Sequence, residues 1–167
     1  MGFSYGEYVV YGGTQLCRVG ETEKKCFDGV HEQSYVKLIP VDQPMSSYYV
    51  QSDKMSERVR HLLSKSQVLD VIDNMPKIEV SWTNDRNARR NLFAEALKSD
   101  DYSLLVGMIK GLKNERRKRI DCGKSLMSSD EKALETASRL LSSEFSHVLG
   151  IKADEVDSFI ENRIGTM

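Results

Sequence analysis

The stretch GEYVVYGG at residues 6–13 carries the clearest strand pattern of the chain. Its β-branched and aromatic residues favour a strand, and the glycine pair that follows marks a tight turn. Outward from it, alternation over residues 15–21 and the stretches SYVKLIP (34–40) and SSYYVQ (46–51) predict further short strands. Four or five short strands joined by tight turns predict a small SH3-like or Tudor-like β-barrel.

From about residue 54 the apolar spacing changes from that of strands to that of helices. Val68, Leu69 and Ile72 predict a short amphipathic helix, which Pro76 cannot continue. The chain after residue 76 is predicted to form a bundle of four helices. The predicted fold class is therefore α+β, with a barrel domain over residues 1–53, a short helix and linker over 54–78, and an all-helical domain over 79–167.

The ends of these helices are predicted from capping residues. Ser, Thr, Asp and Asn side chains accept hydrogen bonds from the free N–H groups of a first helical turn, and glycine commonly follows a last turn. The predicted N-caps are Thr83 or Asn84, then Asp100 or Asp101, then Ser128 in a capping box with Glu131, and Gly150 is predicted to end the helix that Ser128 begins.

Composition excludes several classes of protein. The chain has 167 residues, of which 40% are hydrophobic and 29% charged, as is typical of a folded soluble protein. No apolar run approaches the roughly 20 residues that span a bilayer, and the N-terminus lacks the pattern of a secretory signal. We therefore expect a cytoplasmic protein that makes no membrane contact.

The cysteines and motifs predict neither a metal site nor an enzyme. Cys17, Cys26 and Cys122 are widely spaced and are predicted to be free thiols. A structural zinc site would need Cys17, Cys26 and His31 to converge, and the close cysteine pairs usual for zinc are missing. No Gly-rich phosphate loop, G-x-S-x-G or H-E-x-x-H motif is present. No catalytic residue and no cofactor is therefore expected.

Charge is distributed unevenly, although the net charge is only −1. Residues 1–75 carry 8 Lys and Arg against 10 Asp and Glu, residues 76–120 carry 11 against 6, and residues 121–167 carry 5 against 9. A basic middle between acidic ends indicates one localised anionic contact. The alternative is a set of solvated helix faces with a chance excess of arginine.

The order of motifs resembles that of the CarD-like bacterial transcription regulators. The matching residues are Gly6, Glu7, Val9, Val10 and Tyr11, then Trp82 in SWTNDRNARRNLFAEALKSDD (81–101), then LKNERRKR (112–119) and LMSSDEKALETASRLLSSEF (126–145). The resemblance runs from about Tyr5 to about Leu149. Each motif alone is weak, whereas their order and spacing together are fairly specific.

The resemblance implies a physical mechanism. In that family the barrel, which is shared with transcription-repair coupling factors, binds the β subunit of RNA polymerase. The helical domain lies over promoter DNA at the upstream edge of the melted bubble, where a tryptophan enters the distorted minor groove and basic residues hold phosphates. The predicted DNA-binding residues are Trp82, Arg86, Arg89, Arg90, Arg116, Arg117, Lys118 and Arg119. A monomer that binds DNA weakly and without sequence preference is expected.

The polymerase contact is expected on exposed strand residues. Strand addition at a sheet edge is one way to form such a contact. The predicted residues are Lys24, Lys25, Lys37, Tyr48 and Tyr49. Because successive side chains of a strand face opposite sides, one of the two tyrosines is predicted to lie in the core.

Each of these roles has a plain structural alternative. Trp82 could be a core anchor or a hydrophobic staple at a helix start instead of a wedge. Arg86, Arg89 and Arg90 could form a solvated face, and the run 116–119 could only complement a helix dipole. For the whole protein, the alternatives are a protein–protein adaptor and an RNA- or ribosome-associated binding module, neither of which contacts promoter DNA.

Overall fold

The computed structural model describes residues 2–99 and 101–165. The chain forms two compact units, of which the first ends at Leu62 and the second begins at Leu63. The architecture is α+β, as predicted, with an antiparallel sheet of five strands in the first unit. This first unit extends beyond the predicted barrel boundary at residue 53, because a one-turn helix and a fifth strand follow that point.

The sheet has the strand order β4-β3-β2-β1-β5, with β4 and β5 at its edges. The strands are β1 (Tyr8–Tyr11), β2 (Gln15–Lys25), β3 (Gln33–Pro40), β4 (Tyr48–Gln51) and β5 (Val59–His61). After β4 the chain passes through a 3-10 turn and helix α1 (Met55–Arg58), and it returns as β5 to pair with β1. The core of this unit contains Val9, Cys17, Val19, Leu38, Val50, Met55 and Val59.

Two local features shape the sheet. Gly12 and Gly13 are the central residues of the turn between β1 and β2, as predicted, and have positive φ angles of 61° and 75°; Thr14 completes the three-residue loop, and its N–H donates to the carbonyl of Tyr11 (3.3 Å). Glycine adopts positive φ angles without steric cost. The pairing of β2 with β3 shifts between Val19 and Thr22, so that two residues of β2 face one residue of β3. A bulge of this kind bends a strand and increases its twist.

The second unit is helical. Its α-helices are α2 (Lys65–Asn74), α3 (Arg86–Lys98), α4 (Tyr102–Asp121), α5 (Ser128–Leu149) and α6 (Val156–Ile164). The predicted short helix before Pro76 and the four helices after it are confirmed. The apolar stripes that predicted these helices form the core, in which Ile72, Val106, Phe145 and Val156 are almost completely buried. Among the described residues, no helix is long and apolar enough to cross a membrane.

The structure corrects several predicted helix ends. Asp85, and neither Thr83 nor Asn84, caps α3, because its Oδ1 accepts hydrogen bonds from the N–H groups of Asn87 (2.9 Å) and Ala88 (3.2 Å). Thr83 instead accepts a bond from the Asp85 N–H, and Asn84 accepts one from Trp82.

Of the other predicted helix ends, the structure confirms two and corrects one. Asp101 caps α4 as predicted, whereas Asp100 lies outside the described residues. Ser128 is the first residue of α5, so the predicted capping box with Glu131 is wrong and Met127 occupies the N-cap position. A capping box does occur at α2, between Ser64 and Gln67. Gly150 ends α5 with a φ of 70°, as predicted.

A buried carboxylate ties α5 to two other parts of the second unit. Glu144 is 0% exposed. Its Oε1 accepts a hydrogen bond from the Tyr102 hydroxyl (2.5 Å), and its Oε2 accepts one from the backbone N–H of Leu63 (2.9 Å). One side chain therefore satisfies donors from the start of α4 and from the chain segment just before α2.

We expect Glu144→Ala to destabilise the helical unit strongly. The substitution removes the acceptor of both hydrogen bonds, and a buried donor left without an acceptor, such as the Tyr102 hydroxyl, costs about 1–3 kcal/mol. Urea unfolding followed by circular dichroism measures the change, with Glu135→Ala, an exposed position on the same helix, as the matched control. Equal unfolding midpoints for the two variants would contradict the structural role of this carboxylate.

Candidate functional site

The segment between α2 and α3 carries the only tryptophan and lies against α4. The Lys110 ammonium donates hydrogen bonds to the backbone carbonyls of Met75 and Ile78 at the start of this segment. Further along, the N–H of Ser81 donates to the carbonyl of Gly107 (3.0 Å). The segment is therefore held on one helix at several points before it reaches Trp82.

Glycines on α4 make this close approach possible. A Cβ atom at Gly111 would lie 2.4 Å from the backbone oxygen of Ser81, and one at Gly107 would lie 2.8 Å from the backbone oxygen of Glu79. Both distances are shorter than van der Waals contact allows, and backbone atoms cannot move away as a flexible side chain could. Any larger residue at Gly111 would push out the segment that carries Trp82.

We expect Gly111→Ala to shift the fluorescence maximum of Trp82 to longer wavelength. Forcing extra atoms into a packed contact costs about 1–3 kcal/mol, and here the displaced segment exposes the indole to water. Fluorescence and urea unfolding measure both effects, and Asn114→Ala on the exposed side of α4 is the control. An unchanged emission maximum would show that the segment does not depend on this glycine.

Arg89 is buried, with 8% of its surface exposed, and it is fully engaged by the protein. Its Nε donates to Oδ1 of Asp130 (3.2 Å) and its Nη2 to Oδ2 (2.9 Å), which forms a two-pronged ion pair. Its Nη1 donates to the carbonyls of Thr83 (3.0 Å) and Asn84 (3.3 Å). Arg89, predicted as a DNA contact, therefore directs these donors to acceptors of the protein itself.

Trp82 is half-buried and held in one orientation. The guanidinium carbon of Arg89 lies over its ring, 4.6 Å from the ring centroid, and its Nε1 donates to Oδ1 of Asn84 (3.1 Å). One face of the indole is thus covered, and its only polar group is satisfied. The ring also forms a wall of an adjoining cleft, so that part of it is available to a ligand.

The Trp82 cleft has a volume of about 260 Å³ and lies between α3, α4 and α5. Its interior is apolar, and exposed cations stand at its rim. The apolar residues are Trp82, Leu92, Phe93, Met108, Leu112 and Ala133, and the cations are Arg86, Arg90 and Lys132.

None of these three rim cations has a carboxylate within 4.0 Å among the described residues. The charge of Asp130, which also lines the cleft, is balanced by Arg89. The mouth of the cleft is therefore electropositive. Arg86 and Arg90 were predicted as contacts, whereas Lys132 was missed because it is a lone lysine among acidic neighbours and only the fold brings it here.

The basic run at the end of α4 divides into two kinds of residue. Arg116 pairs with Glu131 on α5 (3.4 Å), and Arg119 pairs with Glu115 one turn earlier (3.1 Å). Arg117 and Lys118 are exposed, and no partner is found for them among the described residues. None of the four lines the Trp82 cleft, so the predicted DNA-binding residues do not form one continuous group there.

In the first unit, the predicted contact residues lie on different faces of the sheet. Tyr49 meets the Lys25 ammonium 4.6 Å from its ring centroid, and it is paired across the strands with Lys37. Tyr48 instead contacts Tyr11, with 5.1 Å between ring centroids. Neither tyrosine is buried, so the prediction that one of them lies in the core is wrong. The core residue of β4 is Val50, which follows them. Lys24, next to Lys25 on β2, is exposed.

Two aromatic residues that the sequence did not single out join Tyr49. Phe27 packs edge-on against Tyr35, with 4.9 Å between ring centroids, and lies 6.0 Å from the Tyr49 ring. Phe27 is 64% exposed, which is unusual for a phenylalanine. We call this group the Tyr49 surface; it consists of Lys25, Phe27, Tyr35, Lys37 and Tyr49.

The loop after β2 and the three thiols show no arrangement suited to a metal. Asp28 accepts hydrogen bonds from the N–H groups of His31 and Val30, which hold the pKa of its carboxyl well below its usual value. Cys26 and His31 both contact Asp28, whereas Cys17 is buried within the sheet. Burial, together with the nearby charge of Asp42, raises the pKa of the Cys17 thiol to about 11. Within the described residues, no group of three or more potential ligands could hold a metal ion.

Comparison with known proteins adds no family assignment to this geometry. No protein-family model matches the chain, and no curated protein matches its sequence. Function is therefore inferred from the Trp82 cleft and the Tyr49 surface, together with the resemblance in motif order described above.

Proposed function

We propose that this chain is a transcription regulator of the CarD-like kind. It binds the β subunit of RNA polymerase through its first unit and stabilises the opened promoter through its helical unit. The observation that carries the proposal is the placement of Trp82, a half-buried indole contacted by Arg89 and Asn84 that lies beside three cations with no carboxylate partner among the described residues.

This geometry suits an opened promoter better than an intact duplex. Cationic side chains hold phosphates whatever the sequence, and an aromatic face stacks on any base that is already unstacked. At the edge of a melted bubble such bases are present, so a protein that contacts them favours the open state over the closed one. Stacking on one base contributes about 1–3 kcal/mol.

The same features predict weak binding to DNA alone. Arg86, Arg90 and Lys132 are solvent-exposed cations without a fixed orientation toward base edges, and the chain as a whole is slightly acidic. The affinity that such contacts provide falls quickly as the salt concentration rises, and it depends little on the DNA sequence. Polymerase therefore supplies the effective concentration that brings the helical unit to the promoter.

For the first unit we propose a small SH3-like or Tudor-like barrel that contacts polymerase. Support comes from the strand order, in which β5 returns to pair with β1, and from the bulge that bends β2. Strand β4 pairs only with β3 in the described sheet, which leaves an edge for strand addition. The Tyr49 surface adds exposed aromatic and basic side chains of the kind enriched at protein interfaces.

Capture of RNA polymerase by the tagged full-length protein tests this proposal. We expect the parent protein to retain polymerase and Phe27→Ser to lose most of this retention, because Phe27 is the most exposed aromatic residue of the Tyr49 surface. Tyr5→Ser is the matched control, since Tyr5 is an exposed aromatic residue (69%) of the same unit outside that surface. A folded parent protein that retains no polymerase would refute the proposal.

A further inference from the structure

We propose that a second cleft of the helical unit binds a free α-amino acid that has an apolar side chain. This cleft, which we call the α6 cleft, lies between α4, α5 and α6 and has a volume of about 380 Å³. On α5, Ala133 and Thr136 line the Trp82 cleft, whereas Leu134 and Ser138 line the α6 cleft. At 3.6 residues per turn these pairs lie on opposite faces of the helix, so the two clefts are separate sites.

The floor of the α6 cleft is apolar and already packed. Its side chains belong to the core of the helical unit, so the floor does not have to be ordered when a ligand binds. The volume of the cleft falls near the lower end of the roughly 300–1,000 Å³ of typical small-molecule sites, which suits a compact ligand. An apolar side chain placed against this floor is removed from water. The floor residues are Met75, Val106, Ile109, Leu134, Leu141 and Ile160.

The rim of the α6 cleft carries charges of both signs. Arg116 and Glu131 pair with each other (3.4 Å). Lys113 on α4, Glu135 on α5 and Asp157 on α6 also line the cleft, and all three are exposed. Among the described residues, none of these three has an oppositely charged group within 4.0 Å. The rim therefore offers a ligand one ammonium and two carboxylates that are not paired with each other.

A free amino acid matches this set of groups. Its carboxylate is complementary to Lys113 and its ammonium to Glu135 and Asp157, while its side chain lies on the apolar floor. The hydroxyls of Ser138 and Ser142 line the same cleft and can accept a hydrogen bond from the ammonium or donate one to the carboxylate. An organic cation would leave the lysine without a partner, and a simple carboxylic acid would leave both carboxylates without one. A residue inside a peptide chain has neither of the two backbone charges.

Isothermal titration calorimetry of the full-length protein with leucine, methionine and phenylalanine tests the proposal. We expect saturable binding with a Kd below about 1 mM, which the affinity per atom of small ligands permits. The amino acid that binds most tightly is then compared with the amine that lacks its carboxylate, with the acid that lacks its ammonium, and with glycine. Each comparison ligand should bind about tenfold more weakly or worse, because it lacks one charge-assisted contact or the apolar contact.

Variants of the rim assign each charge of the ligand to its partner. Lys113→Gln should weaken binding of the amino acid by about tenfold but leave binding of the amine unchanged. The double variant Glu135→Gln with Asp157→Asn should weaken binding of the amino acid by a similar factor but leave binding of the acid unchanged. Lys118→Gln on α4 and Glu161→Gln on α6 are the matched controls, since both positions are exposed and neither lines the cleft.

Three results would overturn the proposal. The first is that none of the three amino acids binds saturably. The second is that the amine or the acid binds as tightly as the amino acid, which would assign the cleft to an organic cation or to a carboxylic acid. The third is that the rim variants bind the amino acid as the control variants do, which would place the amino acid elsewhere on the protein. None of these measurements involves polymerase or promoter DNA, so their outcome leaves the function proposed above to its own test.

Discussion

Trp82→Ala should shorten the lifetime of the polymerase–promoter open complex by about ten- to a hundredfold, while polymerase capture stays unchanged. The factor follows from the loss of about 1–3 kcal/mol of stacking that acts only on the open state. Capture stays unchanged because Trp82 belongs to the helical unit, whereas the proposed polymerase contact lies on the first unit. The substitution therefore separates the two proposed activities.

A competitor-challenge assay measures this lifetime. Polymerase and promoter are incubated with the variant, a polyanion is added, and the surviving open complexes are followed with time. Trp82→Phe is the control, because a smaller aromatic ring keeps part of the stacking surface and should give an intermediate lifetime. If Trp82→Ala and the parent prolong the open complex equally in folded proteins, the indole has no part in the mechanism.

Arg89→Met should destabilise the helical unit by about 3–5 kcal/mol. Asp130 is only 7% exposed, and without Arg89 its charge stays buried and unpaired. Arg89→Lys should recover little of this, because an ammonium cannot reproduce the two-pronged contact and also reach the two backbone carbonyls. The double variant Arg89→Met with Asp130→Leu should recover much of the stability, since an apolar pair replaces the ion pair.

Urea unfolding of each variant gives these free energies, and Arg90→Met is the control for losing an arginine from the same helix. Its side chain is exposed, so its replacement should change stability by no more than about 0.5 kcal/mol. Trp82 emission provides a second measurement, because Arg89 also covers the indole ring. Similar unfolding curves and similar emission for Arg89→Met and Arg90→Met would contradict the structural role of Arg89.

Local patterns predicted the elements of this fold well where the pattern was long. The alternating and β-branched stretches became β1 to β4, and the helical stripes became α2 to α6. Strand β5 was missed because three residues are too few to show alternation, and it owes its conformation to pairing with β1. The N-cap of α3 was misplaced because Thr83, Asn84 and Asp85 are all suitable cap residues, and tertiary contacts decide among them.

The candidate site could be predicted from the sequence only in part. Periodicity places Arg86 and Arg90 on one face of a helix with Arg89 beside them, but it does not say which of them turns inward. That choice depends on Asp130, which is 41 residues from Arg89 in the chain. The cleft itself is formed by three helices. Its volume and the position of Lys132 at its rim therefore cannot be predicted from the spacing of residues along the chain.

The unequal accessibility of the three thiols makes the protein ready for fluorescent labelling. Cys17 is buried with a raised pKa, so at neutral pH it is almost entirely the unreactive thiol. Cys26 and Cys122 are exposed, and each compact unit contains one of them. A maleimide dye should therefore attach at these two positions and leave the sheet interior intact. A donor and an acceptor placed there would report by energy transfer whether the separation of the two units changes when polymerase and promoter DNA are added.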